Sequence, residues 1–155
     1  MGPIGPAGAT GPTGATGTAA PVEFAYIYNV SAETVPLEAD VTFDTNGVLT
    51  AGLTHAPGAT GITFASAGYY TVGFTVSAVE PNQMGLFVNG VVVPGTVHGS
   101  GAGTQQTTGQ TIIRVDAGDV LTLRNHTSAA AVGLQPLAGG TQPSTNAAIR
   151  IVQLT

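Results

Sequence analysis

Cysteine, tryptophan and lysine are all absent from this 155-residue chain. Without cysteine there is neither a disulfide nor a thiol nucleophile, so stability must come from packing and association. The basic side chains are Arg114, Arg124 and Arg150, set against eight carboxylates for a net charge of −5. Such a surface cannot neutralise a phosphate backbone, which excludes nucleic acid as a partner, and it offers no attraction to an anionic membrane. No apolar run approaches the ~20 residues a helix needs to cross a bilayer, so membrane insertion is not expected. Charged residues are only 7% of the chain, well under the roughly 25% of an ordinary soluble domain. The simplest account of so thin a charged shell is apolar surface buried between subunits.

What the chain does have is glycine in strict period. Gly2, Gly5, Gly8, Gly11, Gly14 and Gly17 give the triplets GPI-GPA-GAT-GPT-GAT-GTA, and the register stops where the next glycine would be Ala20. Three chains can wind about one axis only if every third residue lacks a side chain. Pro3, Pro6 and Pro12 each follow a glycine, where a fixed φ preorganises the extended left-handed strand. A flexible Gly/Pro/Thr linker is the competing reading, and strict period three argues against it. The run predicts a homotrimer. Six triplets bury little surface and should fray alone, so a downstream module must hold the chains in register. Met1 directly before the first triplet suits a trimmed stalk or a native start. The expected division is a collagen-like Gly-X-Y segment over 1–19 and one domain over 20–155.

Beyond residue 20 no helical period stands out. Short β-branched and aromatic runs bounded by Gly, Pro, Asn and Asp read as strands. They are expected near Glu23–Val30, Val41–Asp44, Ile62–Phe64, Tyr69–Val79, Gly85–Val88, Val91–Val93, Gln110–Val115, Val120–Asn125, Ala130–Leu134 and Ala148–Leu154. In Tyr70–Ala78 alternate residues are apolar, as in a half-buried antiparallel strand. Asn89-Gly90 between two β-branched runs is a type I′ hairpin signal. Pro94–Gly109, rich in Gly, Thr and Gln, reads as an exposed loop or irregular edge. The fold class is therefore all-β, an antiparallel sandwich or jelly roll with these ten expected strands.

A Gly-X-Y segment followed by an all-β domain of this length resembles the complement and tumour-necrosis-factor-like trimers. Ala67-Gly68-Tyr69-Tyr70-Thr71-Val72 is similar to that superfamily's glycine-aromatic entry into a central strand. Ala117-Gly118-Asp119-Val120-Leu121-Thr122-Leu123 resembles its later turn and strand. More narrowly, Val88-Asn89-Gly90-Val91-Val92-Val93-Pro94-Gly95-Thr96 resembles the C-terminal domain of bacterial exosporium collagen-like glycoproteins, the BclA-like group. Thr10, Thr13 and Thr16, each third in its triplet, suit the threonine-rich stalks of that group and would be its O-glycosylation sites. The resemblance implies a ten-strand jelly roll that trimerises tightly and caps a collagen-like stalk on the spore's outermost layer. The repeat here is much shorter than that likeness leads one to expect.

Catalytic chemistry finds no foothold in the residue pattern. His55, His98 and His126 fall in separate contexts without HxH or HExxH spacing. On a threefold axis one histidine becomes three ligands, and His98 in its Gly-rich loop is the place to look, although an exposed loop histidine is the plainer reading. Asp116 and Asp119 flank a glycine turn and read either as Ca²⁺ ligands or, more simply, as turn formers bonding their own backbone. No G-x-S-x-G elbow precedes a helix, and the carboxylates are dispersed. Asn29-Val30-Ser31 and Asn125-His126-Thr127 match the glycosylation sequon but sit at strand ends and read as coincidence. No catalytic residue, metal site or cofactor is expected. The aromatics should divide between sandwich core and subunit interface; Tyr26, Tyr28 and Tyr69 are the candidates for the trimer contact. The expected function is structural: a spore-surface protein whose C-terminal domain trimerises and aligns the stalk. The alternative is a trimeric binding module, a lectin-like or receptor-binding knob mediating adhesion. Its partners would then include other spore-surface proteins or host-surface molecules.

Overall fold

The computed structural model describes residues 1–5, 8–11 and 22–155. Thirteen strands and no helix occur among the described residues. The expected boundary at residues 19 and 20 lies outside them, as do Thr13 and Thr16.

Alternation of apolar and polar residues builds two layers. One is a five-stranded antiparallel sheet in the order β10-β6-β13-β1-β3, made from β1 (Phe24–Asn29), β3 (Thr45–Leu49), β6 (Gly68–Val76), β10 (Thr107–Val115) and β13 (Ala147–Gln153). The other runs β4-β5-β11-β7-β8 with β9 also paired to β7. It comprises β4 (Leu53–Thr54), β5 (Ile62–Phe64), β7 (Asn82–Val88), β8 (Val91–Val92), β9 (His98–Ser100) and β11 (Val120–Asn125). A two-stranded ribbon, β2 (Glu33–Val35) with β12 (Val132–Leu134), completes the set. Ile27, Tyr70, Val72, Val76, Ile149 and Ile151 from the first sheet meet Ile62, Phe64, Met84, Leu86, Leu121 and Leu123 from the second, all fully buried. Burying such a side chain contributes about 1.5–3 kcal/mol, so this interlayer is the main support of the fold.

Strand polarity fixes the two ends of the sandwich. Phe24 pairs with Val152 and Asn29 with Ala147; Val76 pairs with Ala147 and with Thr107. The chain therefore enters the domain, near Val22, at the end where it also terminates. The β6–β7, β9–β10 and β12–β13 connections lie at the opposite, distal end.

Ile62–Phe64 and Val120–Asn125 form as expected, and Asn89 and Gly90 adopt φ of 50° and 79°, the mirror-image turn that hairpin strands require. Nine of the ten expected strands form, and four short ones, β2, β3, β4 and β9, bring the number to thirteen. Val41–Asp44 corrects an expectation. It makes only isolated bridges, Asp40 to Arg124 and Phe43 to Ala59, because this segment crosses between layers, and Val41 and Phe43 are buried as core rather than as ladder residues. Within Pro94–Gly109, read as a loop, His98 pairs with Met84 and Ser100 with Asn82.

Candidate functional site

The two outward faces of the sandwich differ sharply in chemistry. On the five-stranded sheet, β1 turns Phe24, Tyr26 and Tyr28 away from the core and β6 turns out Tyr69, Thr71, Gly73 and Thr75. β10 adds Gln110 and Ile112, and β13 adds Arg150 and Val152. Registers place Tyr26, Arg150, Gly73 and Gln110 in one row across four strands, and Phe24, Val152, Thr71 and Ile112 in another. Phe24 is 43% exposed, Tyr26 40%, Val48 52%, Tyr69 50% and Ile112 63%. The face carries two charged side chains: Arg114 pairs with Asp116 at 3.0 Å, and Arg150 is exposed without an ion pair among the described residues. The surface is contiguous, largely neutral and rich in aromatic side chains.

The three tyrosines picked out in the sequence thus share one face, with the Tyr26 and Tyr28 rings 5.4 Å apart. Gly47 of β3 sits under those rings; a Cβ there would lie 3.1 Å from Tyr26 and 3.2 Å from Tyr28. Phe24, Val48 and Ile112 belong to the same surface and were not singled out. Their exposure follows from sheet order, which brings together residues far apart in the chain. Along the Tyr26–Arg150–Gly73–Gln110 row runs an open groove of ≈ 660 Å³, widened where Gly73 lacks a side chain.

The outer face of the six-stranded sheet is instead tied up in polar contacts. Arg124 Nε donates to Asp40 Oδ1 at 2.7 Å, which holds the guanidinium protonated beyond its ordinary range, and the group stacks on Phe87 with 4.2 Å to the ring centre. Glu38 accepts hydrogen bonds from His126 Nδ1 (2.9 Å) and the Thr127 N–H (2.8 Å). Those contacts hold its carboxyl below the usual value. Glu38 and Thr127 themselves adopt positive φ of 58° and 59°, so this ring of contacts fixes two unusual backbone positions.

The histidines do not converge. His55 is buried with Nδ1 2.7 Å from Asn46 Oδ1 and Nε2 3.1 Å from the Ala59 carbonyl. His98 stands edge-on to Phe74 at 5.9 Å, inside the sandwich margin rather than in an exposed loop, and His126 lies on the six-stranded sheet. Among the described residues no three His, Asp or Glu side chains form a metal-holding set. Asp119 Oδ2 accepts the Asp116 N–H at 2.7 Å and its Oδ1 accepts from Asn89 Nδ2 at 2.7 Å; this carboxylate closes its own turn and braces the neighbouring hairpin. Both sequon asparagines are core residues. Asn29 Nδ2 donates to Ser31 O and Asn146 Oδ1 at 2.9 Å each, and Asn125 Nδ2 serves the Val35 carbonyl at 3.0 Å. Neither amide is open to modification. Thr10 is exposed.

The antiparallel sandwich has clear structural counterparts. The fold is similar to the globular domain of zebrafish complement 1qA protein, with a TM-score of 0.66 at 11% identity over 86% of this chain and 98% of that one. It is also similar to murine APRIL, with a TM-score of 0.58 at 15% identity over 86% of this chain and 100% of that one. A third counterpart is Eiger TNF from S. frugiperda, with a TM-score of 0.54 at 17% identity over 88% of this chain and 94% of that one. These likenesses establish a complement 1q/tumour-necrosis-factor-like jelly roll. No curated protein matches the sequence. The family model of the BclA C-terminal domain matches residues 25–155, and the chain belongs to that family.

Proposed function

We propose that this chain is a structural, non-enzymatic protein of the spore surface, the exosporium. Its jelly roll assembles as a homotrimer through the outer face of the five-stranded sheet, aligns three Gly-X-Y segments and forms the knob at their end. The observation that carries this reading is the open face running from Phe24 and Tyr26 to Ile112. Burying those side chains against a second copy supplies the association energy that the short repeat lacks. Tyr26, Tyr28 and Tyr69 are then contact residues. Among the described residues the nine-residue β10 has no further strand on its outer edge in the five-stranded sheet. Such an edge invites uncontrolled pairing unless a neighbour covers it.

The glycines of the repeat support the same assembly. In the single chain a Cβ at Gly2, Gly5, Gly8 or Gly11 would meet nothing within 4 Å. The strict glycine period itself is what a triple helix requires. Holding three stalk ends together raises their local concentration and offsets the entropic cost of nucleating that helix. Thr10, Thr13 and Thr16 are proposed O-glycosylation sites of the stalk.

The test is solution mass, by light scattering after gel filtration, of the intact chain and of a version beginning at Ala20. Trimers for both are expected. Monomers for both would overturn the reading; a trimer only for the intact chain would move the driving force to the repeat.

A further inference from the structure

At the distal end a second cavity of ≈ 550 Å³ opens between the β6–β7, β9–β10 and β12–β13 connections, away from the association face. Ser77, Thr104, Gln105, Gln106 and Gln135 line it, Val79 and two alanines supply methyl groups, and no charged or aromatic side chain takes part.

The walls are held by contacts that leave this lining free. Gly103 packs directly on the Val79 carbonyl, where any Cβ would collide, so the β9–β10 connection is fixed against the β6–β7 connection. The Val79 N–H donates to the Gly133 carbonyl at 3.0 Å, and the Gly133 N–H donates to Glu80 Oε2 at 2.7 Å, which occupies the nearest carboxylate. Asn146 Nδ2 holds the Gln135 carbonyl at 3.3 Å, and the Ser144 N–H holds that of Pro136 at 2.7 Å.

Of the three carboxamides, Gln106 spends its NH₂ on Ser77 Oγ (3.2 Å) and Gln105 its oxygen on Ser100 Oγ (3.4 Å). The Gln105 NH₂, the Gln106 oxygen and both ends of Gln135 make no other hydrogen bond among the described residues. A carboxamide places a donor beside an acceptor, which matches two adjacent hydroxyls, each able to give and receive. An anion would find no cation here, a metal ion no carboxylate, and a flat aromatic ring no stacking partner. Val79, 45% exposed, offers an apolar contact for a C–H face.

We propose that this distal cleft binds an uncharged carbohydrate through Gln105, Gln106 and Gln135. Three copies at one tip would add avidity to a weak single-site interaction.

Saturation-transfer NMR on the intact chain tests it, with glucose, galactose, mannose and N-acetylglucosamine as neutral probes and glucuronate as the charged one. At least one neutral sugar should receive saturation, with glucuronate about tenfold weaker. Gln106→Ala and Gln135→Ala should each weaken the response about tenfold at unchanged solution mass and melting temperature. Gln135→Glu, which keeps the shape and adds a charge, guards against a folding artefact and should do the same. Silence from all four neutral sugars, equal binding of glucuronate, or binding that survives the paired Gln106→Ala and Gln135→Ala changes would each overturn the proposal.

Discussion

Arg124 lies flat over Phe87, its guanidinium carbon 4.2 Å from the ring centre. Phe87 points away from the core on the six-stranded sheet, yet it is only 4% exposed, because Arg124 covers one side and His126 meets the ring edge-on at 5.1 Å. The arginine acts through three contacts at once: the ring, the Asp40 carboxylate and its own apolar stem. Arg124→Ala should cost about 1–2 kcal/mol, the partly exposed ion pair supplying the smaller share. That corresponds to a fall in melting temperature of about 2–8 °C, read at fixed protomer concentration because association also shifts the midpoint. Arg124→Met, which restores the stem alone, should recover part of the loss. A melting temperature unchanged in Arg124→Ala would show that the covered ring contributes nothing.

Acid should act on this domain in two opposed steps. Glu33 is half-buried, and burial raises its carboxyl above the ordinary 4.5 against the opposing hydrogen bonds from Thr42. It binds its proton earlier in the folded chain than in the unfolded one, so acidification from neutral toward 4.5 adds stability. Glu38, held below 4.5 by His126 and the Thr127 N–H, and Glu23, held below it by Thr50 and the Gly52 N–H, behave oppositely. Their contribution is fully present above 4.5 and is lost as the pH falls through their folded values. Melting temperature should therefore hold or rise slightly from neutral to about pH 4.5 and then fall. Glu33→Gln should remove the rise, while Glu38→Gln should lower the melting temperature at neutral pH and matter progressively less as the pH falls below 4.5. A steady fall from pH 7 downward, with the same slope in Glu33→Gln, would refute this ordering.

The sandwich was readable where pattern and partner agree. Ile62–Phe64, Val120–Asn125 and the Asn89-Gly90 hairpin follow from β-branched runs and a turn dipeptide, both local signals. Thr45–Leu49 was hidden because Asn46-Gly47 spells a turn. It extends because β1 pairs with it, across a register shift at Tyr26 and Ile27, and because Asn46 Nδ2 is held by the His55 carbonyl at 2.9 Å. Val41 and Phe43 alternate like a strand but serve the core during a crossing between sheets. The exposed aromatic face was half legible. Alternation alone puts Tyr26 with Tyr28, whereas bringing Ile112 beside Thr71, Val152 and Phe24 needs the order β10-β6-β13-β1, which rests on contacts between distant parts of the chain.

Gly109 tests how tightly the sandwich margin is closed. It stands opposite Phe74 in the ladder, and a Cβ there would press into the Phe74 ring and approach His98 Cδ2 at 2.6 Å. Gly109→Ala must therefore move the Phe74–His98 pair and should cost about 1–3 kcal/mol by overpacking. Gly73, in the next row, has only ordinary contacts at 3.7 Å and beyond, so Gly73→Ala should stay within about 1 kcal/mol of the parent. Denaturant midpoints compare the two; equal effects would mean that the margin relaxes freely.

The proposed assembly makes its sharpest prediction at Ile112. This side chain is 63% exposed on the five-stranded sheet and supports nothing inside its own protomer, so Ile112→Asp should leave the fold intact. In a trimer closed over that face, the same change buries an unpaired carboxylate three times, at about 3–5 kcal/mol each. The expected result is a monomer by light scattering with an unaltered β-sheet circular dichroism spectrum. Tyr26→Asp should behave alike, since Tyr26 lies in the adjoining row. Val91 is the control, because it is 69% exposed but sits on the β7–β8 hairpin of the other sheet. Val91→Asp should therefore keep the trimer mass. If Ile112→Asp and Val91→Asp had the same mass as the parent, the face would not be the contact. If Val91→Asp alone dissociated, the six-stranded sheet would be.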